Sequence, residues 1–183
     1  MKLNGSDNEI ELIRRMQSGD HGAMRTVYEM YAGYLTAVCS RYVVDSEDVR
    51  DVLQDSFVKI FSGIGNFRIM ENGSLKSWMT RIVVNESLKF IRRRNIFSFI
   101  DTVEDIPDSP DVDLETDGIP FQVIQEMIQS LPVGYRTVFN LVVFEKKSHK
   151  EIAAMLGIKE GTSASQFHRA KALLAEKVSQ HLK

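Results

Sequence analysis

Between Phe97 and Pro120 the chain carries eight carboxylates, no lysine or arginine, and three of its four prolines: Pro107, Pro110 and Pro120. Proline removes a backbone donor and stops helices, and like charges repel along the chain. The stretch therefore reads as an extended linker. It divides the 183 residues into segments 1–96 and 121–183, so two small domains are expected and a single large barrel is excluded. The formal net charge of −2 hides a segregation: the first segment carries +2, the linker −8 and the last segment +4.

On both sides of the linker apolar residues recur at helical spacing, and no run alternates with period two for long enough to make a sheet. Ile10, Ile13 and Met16 form a first stripe. Ser6 with Glu9 has capping-box spacing ahead of it, and Gly19 closes it. Met24, Val27, Tyr28, Tyr31, Leu35, Val38 and Tyr42 predict a long second helix. Val49, Val52, Leu53, Phe57, Ile60 and Phe61 predict a third, ended by Gly63. After a loop containing Gly65 and Gly73, a fourth helix runs from Ser74 through Trp78, Met79, Ile82 and Val83 into Arg92, Arg93 and Arg94. Beyond the linker, shorter helices are expected around Val123–Leu131, around Val138–Val142, from Ser148 to Leu156, and from near Thr162 onward with Phe167, Ala170, Leu174 and Val178 on one face. The fold class is all-α, two small helical domains joined by an acidic linker.

The segment Ser148–Leu174 has the form of a helix-turn-helix. Ser148 and Glu151 make a capping box, small Ala153 lets two steeply crossing helices approach, and Gly157 supplies the left-handed residue of the turn. Leu156, Ile158 and Phe167 seat the second helix. Its outer face is then expected to offer Thr162, Ser163, Ser165, Gln166, Arg169 and Lys171, donors and cations suited to base edges and phosphates in a major groove. A plain helical hairpin with a solvated polar face has the same spacing.

Ser148-His-Lys-Glu-Ile-Ala-Ala-Met-Leu-Gly-Ile-Lys-Glu-Gly-Thr162, continued by Ser165 and His168-Arg169-Ala170-Lys171, resembles region 4 of the bacterial sigma-70 family. The Leu131-Pro132 step ahead of Arg136, Val138 and Phe139 fits the same region. In the first segment Asp48, Asp51, Gln54, Asp55 and Phe57 resemble the region 2 signature for docking on core polymerase. Asn66-Phe67-Arg68, with Trp78, Ile82, Asn85 and Arg92-Arg93-Arg94, resembles the part that opens the promoter. With only regions 2 and 4 joined by a short linker, the chain is similar to the extracytoplasmic-function (ECF) group. The last helix departs from the family in having Ser163, Ala164 and Gln166 where an apolar residue, a lysine and an arginine are common.

The resemblance implies a transcription initiation factor with regions at 1–96 and 121–183. Asp48, Asp51 and Asp55, three to four residues apart on one helix face and bordered by Gln54, would meet the clamp helices of the polymerase's largest subunit. Asn66, Arg68, Asn85, Lys89, Arg92 and Arg93 would hold the opened minus-ten strand. Separating DNA costs about 1.4 kcal/mol per stacked step, so a protein without ATP has to recover that by binding exposed bases and phosphates. Thr162, Ser163, Ser165, Gln166, Arg169 and Lys171 would read the upstream minus-35 duplex. Trp78, amid apolar neighbours, reads as core before it reads as a stacking platform. The linker either threads polymerase channels as an RNA mimic or is a solubilising tether.

The expected partners are core RNA polymerase and promoter DNA, with an anti-sigma factor as a possible third and no small-molecule substrate. No cofactor and no metal is expected. The single cysteine, Cys39, forms no internal disulfide, and the four histidines make no i, i+4 pair with a glutamate base. Asp113, Glu115 and Asp117 alternate like a calcium loop, but its twelfth position is Ile124 and Pro120 interrupts it. No enzyme signature is found. Residues 1–11 carry no apolar export signal, and the longest apolar run is five residues, Ile152–Leu156, against the roughly 20 of a membrane helix. A cytoplasmic protein is expected. A stand-alone helix-turn-helix regulator is the alternative, and a protein-binding adaptor or anti-sigma partner a more distant one.

Overall fold

The computed structural model describes residues 5–69, 74–94 and 118–182, with side chains from residue 8 onward. The linker readings over 97–117, the calcium-loop carboxylates, Gly73 and the Ser6 side chain lie outside the described residues. The described chain is helical, with no strand among these residues, and it separates into two compact units, Met1–Phe90 and Ile91–Lys183.

In the first unit α1 spans Gly5–Gln17, α2 His21–Ser40, α3 Ser46–Gly63 and α4 Leu75–Arg93, the last extending past the division between units. A 3-10 turn, Ile64–Asn66, follows α3 directly. Each start has a local cause. Gly19 adopts φ +86° after α1, a conformation an L side chain rarely takes. Asp20 then caps α2, its Oδ1 accepting from the amides of Gly22 at 2.7 Å and Ala23 at 3.2 Å. Asp45 caps α3 by accepting from Glu47 and Asp48 at 3.0 Å each. Ser74 caps α4 through the amide of Ser77 at 3.2 Å.

The apolar stripes meet as the periodicity demands. Ile13, Met16, Val27, Leu35, Val38, Ile60, Leu75, Met79 and Val83 are buried together with Tyr42. Not all of the expected stripes are buried: Tyr28 is 50% exposed, and Ile10, Met24, Tyr31, Leu53, Phe61, Trp78 and Ile82 are only half-buried. Two buried hydroxyls need no distant partner, since Ser56 donates back to Val52 O at 2.7 Å and Ser87 to Val83 O at 2.8 Å. Ser87 Oγ also lies 3.6 Å from Cys39 Sγ, and burial raises the thiol's pKa.

In the second unit α5 spans Phe121–Gln129, α6 Val133–Val143, α7 His149–Leu156 and α8 Glu160–His181. Ile128, Leu131, Phe139, Ala170 and Leu174 form the centre of its core, with Ile124, Met127, Tyr135 and Phe167 packed around them. Arg136, on α6, is buried, and its Nη1 donates to Gln129 O at 2.8 Å and Leu131 O at 3.0 Å. It thereby satisfies carbonyls that the end of α5 leaves without helical partners. The helix-turn-helix forms as its sequence requires. Both halves of the Ser148–Glu151 capping box are present, and Gly157 takes φ +71°, with its amide and that of Ile158 on Ala153 O at 2.9 and 3.1 Å.

Candidate nucleic-acid and protein interfaces

Three surfaces collect the sequence-predicted site residues. The first is on α3. Asp51, Gln54 and Asp55 are exposed and Asp48 half-buried, together on the side of the helix opposite Val52, Ser56 and Ile60. Beside this polar stripe runs an apolar groove of about 640 Å³ between α2 and α3, lined by Tyr28, Val49, Leu53, Phe57, Val58 and Phe61, with Arg50 and Gln54 at its polar edge. Val58 on that groove is 64% exposed. Tyr28 and Phe57 hold their rings 4.7 Å apart and Phe57 and Phe61 5.8 Å, so the groove wall is a continuous aromatic surface. Periodicity had assigned Tyr28, Leu53 and Phe61 to the core. They have the spacing of buried residues, but they line this groove and are only partly covered within the unit.

The second surface runs from the end of α3 along α4. Asn66 and Arg68 are exposed just beyond α3, while Phe67 between them is buried. On α4, Asn85, Arg92 and Arg93 are exposed and Lys89 is half-buried. Ser77 and Arg81, which the sequence reading passed over, are exposed on the same stripe, four residues apart and four before Asn85. Their signal was that spacing. Trp78 is half-buried, with its ring 5.0 Å from Phe67 and lying over Gly63, so it supports the turn from α3. Lys59 of α3 pairs with Glu86 of α4, and this bond is the main cause of the lysine's raised pKa. The pair ties the stripe-bearing helix to the cationic one.

On the third surface, α8, the structure corrects the sequence. Ser163 and Gln166 are buried and Arg169 is 9% exposed, so these three do not stand on the outer face. With 3.6 residues per turn, positions 163, 166, 170, 174 and 178 all fall on the inner side, and Ser163 Oγ hydrogen-bonds His149 Nδ1 at 3.0 Å across the two helices. Polar side chains had been read as outward-facing, but here two short polar groups and an arginine occupy the inward register. Thr162 and Lys171 are half-buried, the lysine Nζ sitting 5.1 Å from the Phe167 ring centroid. The exposed positions near the start of α8 are Glu160, Gly161, Ala164 and Ser165, with half-buried His168 one turn on. Of the predicted set, Ser165 alone is fully exposed. Among the described residues no group of three or more His, Cys, Asp or Glu has the arrangement of a metal site, and no helix is long and apolar enough to cross a membrane.

Comparison with known proteins matches the two units separately. Residues 27–96 match Sigma-70 region 2, and residues 121–174 match Sigma-70, region 4. The chain belongs to the sigma-70 family of RNA polymerase sigma factors, in its ECF group. It is 29% identical to the ECF RNA polymerase sigma-E factor of Salmonella typhimurium strain LT2, with 91% of this chain and 92% of that protein covered. It is 27% identical to the RNA polymerase sigma-H factor of Pseudomonas aeruginosa, covering 90% and 91%, and 26% identical to SigW of Bacillus subtilis, covering 91% and 94%. Among solved structures, the one described as CnrH in complex with the cytosolic domain of CnrY shares the fold, with a TM-score of 0.51 and 20% identity over 94% of this chain and 97% of that one. In this sigma factor the α3 stripe and the α4 face fall within the region 2 match, and α7 and α8 within the region 4 match up to Leu174.

Proposed function

We propose that this sigma factor docks on core RNA polymerase through α3, holds the opened promoter strand along α4, and reads an upstream duplex with the outer face of α8. The observation that carries this reading is the succession of region 2 and region 4 matches over 27–96 and 121–174, the first containing the α3 and α4 surfaces and the second the outer face of α8. Asp51 and Asp55 give the docking face its charge, and Gln54 adds an amide beside them. The neighbouring groove adds apolar area that a charged stripe lacks, and a docking surface with an apolar centre and a polar edge has the anatomy of a stable interface. A restraining partner seated in the same groove would exclude polymerase, which is how an anti-sigma factor would act here.

For opening, Asn66, Arg68, Asn85, Lys89, Arg92 and Arg93, joined by Arg81, combine amide donors with cations. These are the groups that hold a single strand by phosphate and base edge. For the upstream duplex, Ser165 faces outward, with half-buried Thr162, His168 and Lys171 at the margins. Gln166, Ser163 and Arg169 support the helix from beneath. The domains follow as 1–96, 97–120 and 121–183, with the acidic segment as tether, and a factor that works on polymerase works in the cytoplasm. No chemical step is assigned to the chain.

The test is reconstitution. Full-length protein should pull down core polymerase and redirect its start sites on a genomic template mixture, whereas the double substitution Asp51→Lys and Asp55→Lys should abolish capture with an unchanged thermal melt. A chain that binds promoter fragments equally well without polymerase would instead be a stand-alone regulator.

A further inference from the structure

Two side chains of the first helix make three bonds to backbone outside it. Gln17, its last residue, donates through Nε2 to Ile64 O at 3.1 Å and to Phe67 O at 3.0 Å, the two ends of the 3-10 turn that leaves α3. Eight residues earlier, Glu9 Oε1 accepts from the amide of Leu75 at 3.0 Å, the first residue of α4, and its other oxygen lies 3.5 Å from the Tyr31 hydroxyl. Together these bonds bracket the segment between Phe67 and Leu75. Phe67 is 2% exposed and Leu75 1%, so at each end the side chain is seated in the core while the backbone is fastened to α1. Between the two fastenings α1 rises about 12 Å, at roughly 1.5 Å per residue, which makes it a rigid spacer. Asn66 and Arg68 stand at one end of the bracketed segment, and the helix carrying Asn85 begins at the other.

We propose that Glu9 and Gln17 are positioning residues for the opened strand: by fixing the separation of Phe67 and Leu75, α1 sets how Asn66 and Arg68 stand relative to Asn85, and so sets base selectivity there. The inference rests on the assignment of the opened strand to α4 and its preceding loop. It extends that function to a helix outside the matched region 2, which starts at residue 27, and whose two bracketing side chains are both turned onto protein backbone. Gln17 supplies two donors to two carbonyls, whereas a glutamate there would set a carboxylate against both. Glu9 supplies an acceptor, which a glutamine would retain and an alanine would not.

Full-length variants are assembled with core polymerase and supplied with a double-stranded template library, randomised at both the upstream duplex element and the opened element, and the transcribed templates are sequenced. Glu9→Ala and Gln17→Glu are each expected to lower base preference at the opened element about five- to tenfold and to leave preference at the upstream element unchanged. Glu9→Gln should stay within about twofold of the unsubstituted protein. An undiminished preference in Glu9→Ala and Gln17→Glu overturns the proposal, as does an equal loss at both elements, which would mark a general folding defect. Where Glu9→Ala does not fold, the isosteric Gln17→Glu decides. Asn85→Ala separates the two levels: if it leaves the opened-element preference intact, the assignment of the strand to α4 fails and the inference with it.

Discussion

Arg136 shows how one side chain can hold a unit together without touching a ligand. Its buried guanidinium serves the carbonyls of Gln129 and Leu131, and burial lowers its pKa, although an arginine stays charged. Arg136→Ala would leave two buried acceptors without this donor, at about 1–3 kcal/mol for each unsatisfied group. The second unit should lose roughly 2–4 kcal/mol on that basis, read from amide exchange at Leu131 in a urea series. In the first unit Cys39 is fully buried, with its thiol held neutral by desolvation. Because the thiolate is the reactive form, Cys39 should resist an aqueous thiol reagent in the native protein and react within minutes once urea unfolds it. Rapid native labelling would show that the α2–α4 packing opens readily.

Among the elements, α8 shows how polarity and position can disagree. Its sequence offers six polar residues to DNA, and the packing of α8 against α6 and α7 turns Ser163 and Gln166 inward. Substituting Ser165 or His168 should therefore change base preference at one or two upstream pairs by roughly 1–3 kcal/mol each. Gln166→Ala should instead lower thermal stability and leave the preference profile intact; sequencing of selected templates separates the two outcomes. At the start of α7, Glu151 bonds Lys147 and both the amide and the hydroxyl of Ser148, and its pKa is lowered to about 2 from 4.5. A carboxylate whose folded pKa is depressed adds stability that is present above the unfolded value and lost as pH falls through the folded one. The stability this cap adds should accordingly be whole above about pH 4.5 and shrink below it, and the Glu151 carboxyl shift in NMR should titrate with its midpoint at about pH 2. The mutant Glu151→Gln should show no such titration.

Over the whole molecule, the segregation of charge decides how the protein meets nucleic acid. A net −2 would repel DNA if evenly spread, yet the cations gather at the end of α4 and in the second segment while the carboxylates concentrate in the linker. Counterion release makes single-strand binding fall with salt at a slope of about 0.7 per phosphate contacted. Alanine at both Arg92 and Arg93 should then weaken promoter opening and flatten its salt dependence by roughly 1.5 in log–log slope, whereas an unchanged slope would place these arginines away from the strand. Much of this was legible from residue order alone. The 3.6-residue period marks the helices, and Ser148, Glu151 and Gly157 mark the turn, because each of these signals acts within a few residues of itself. The α3 stripe was legible for the same reason. Three features were not: the groove beside Tyr28 and Val58, the inward register of Ser163 and Gln166, and the fastening of Glu9 to the amide of Leu75. Periodicity finds the faces of a helix but does not say which neighbour covers them or how far that cover extends. That is decided when helices distant in sequence come into contact, and with it whether an apolar side chain is core or docking surface and whether a polar one meets solvent or another helix.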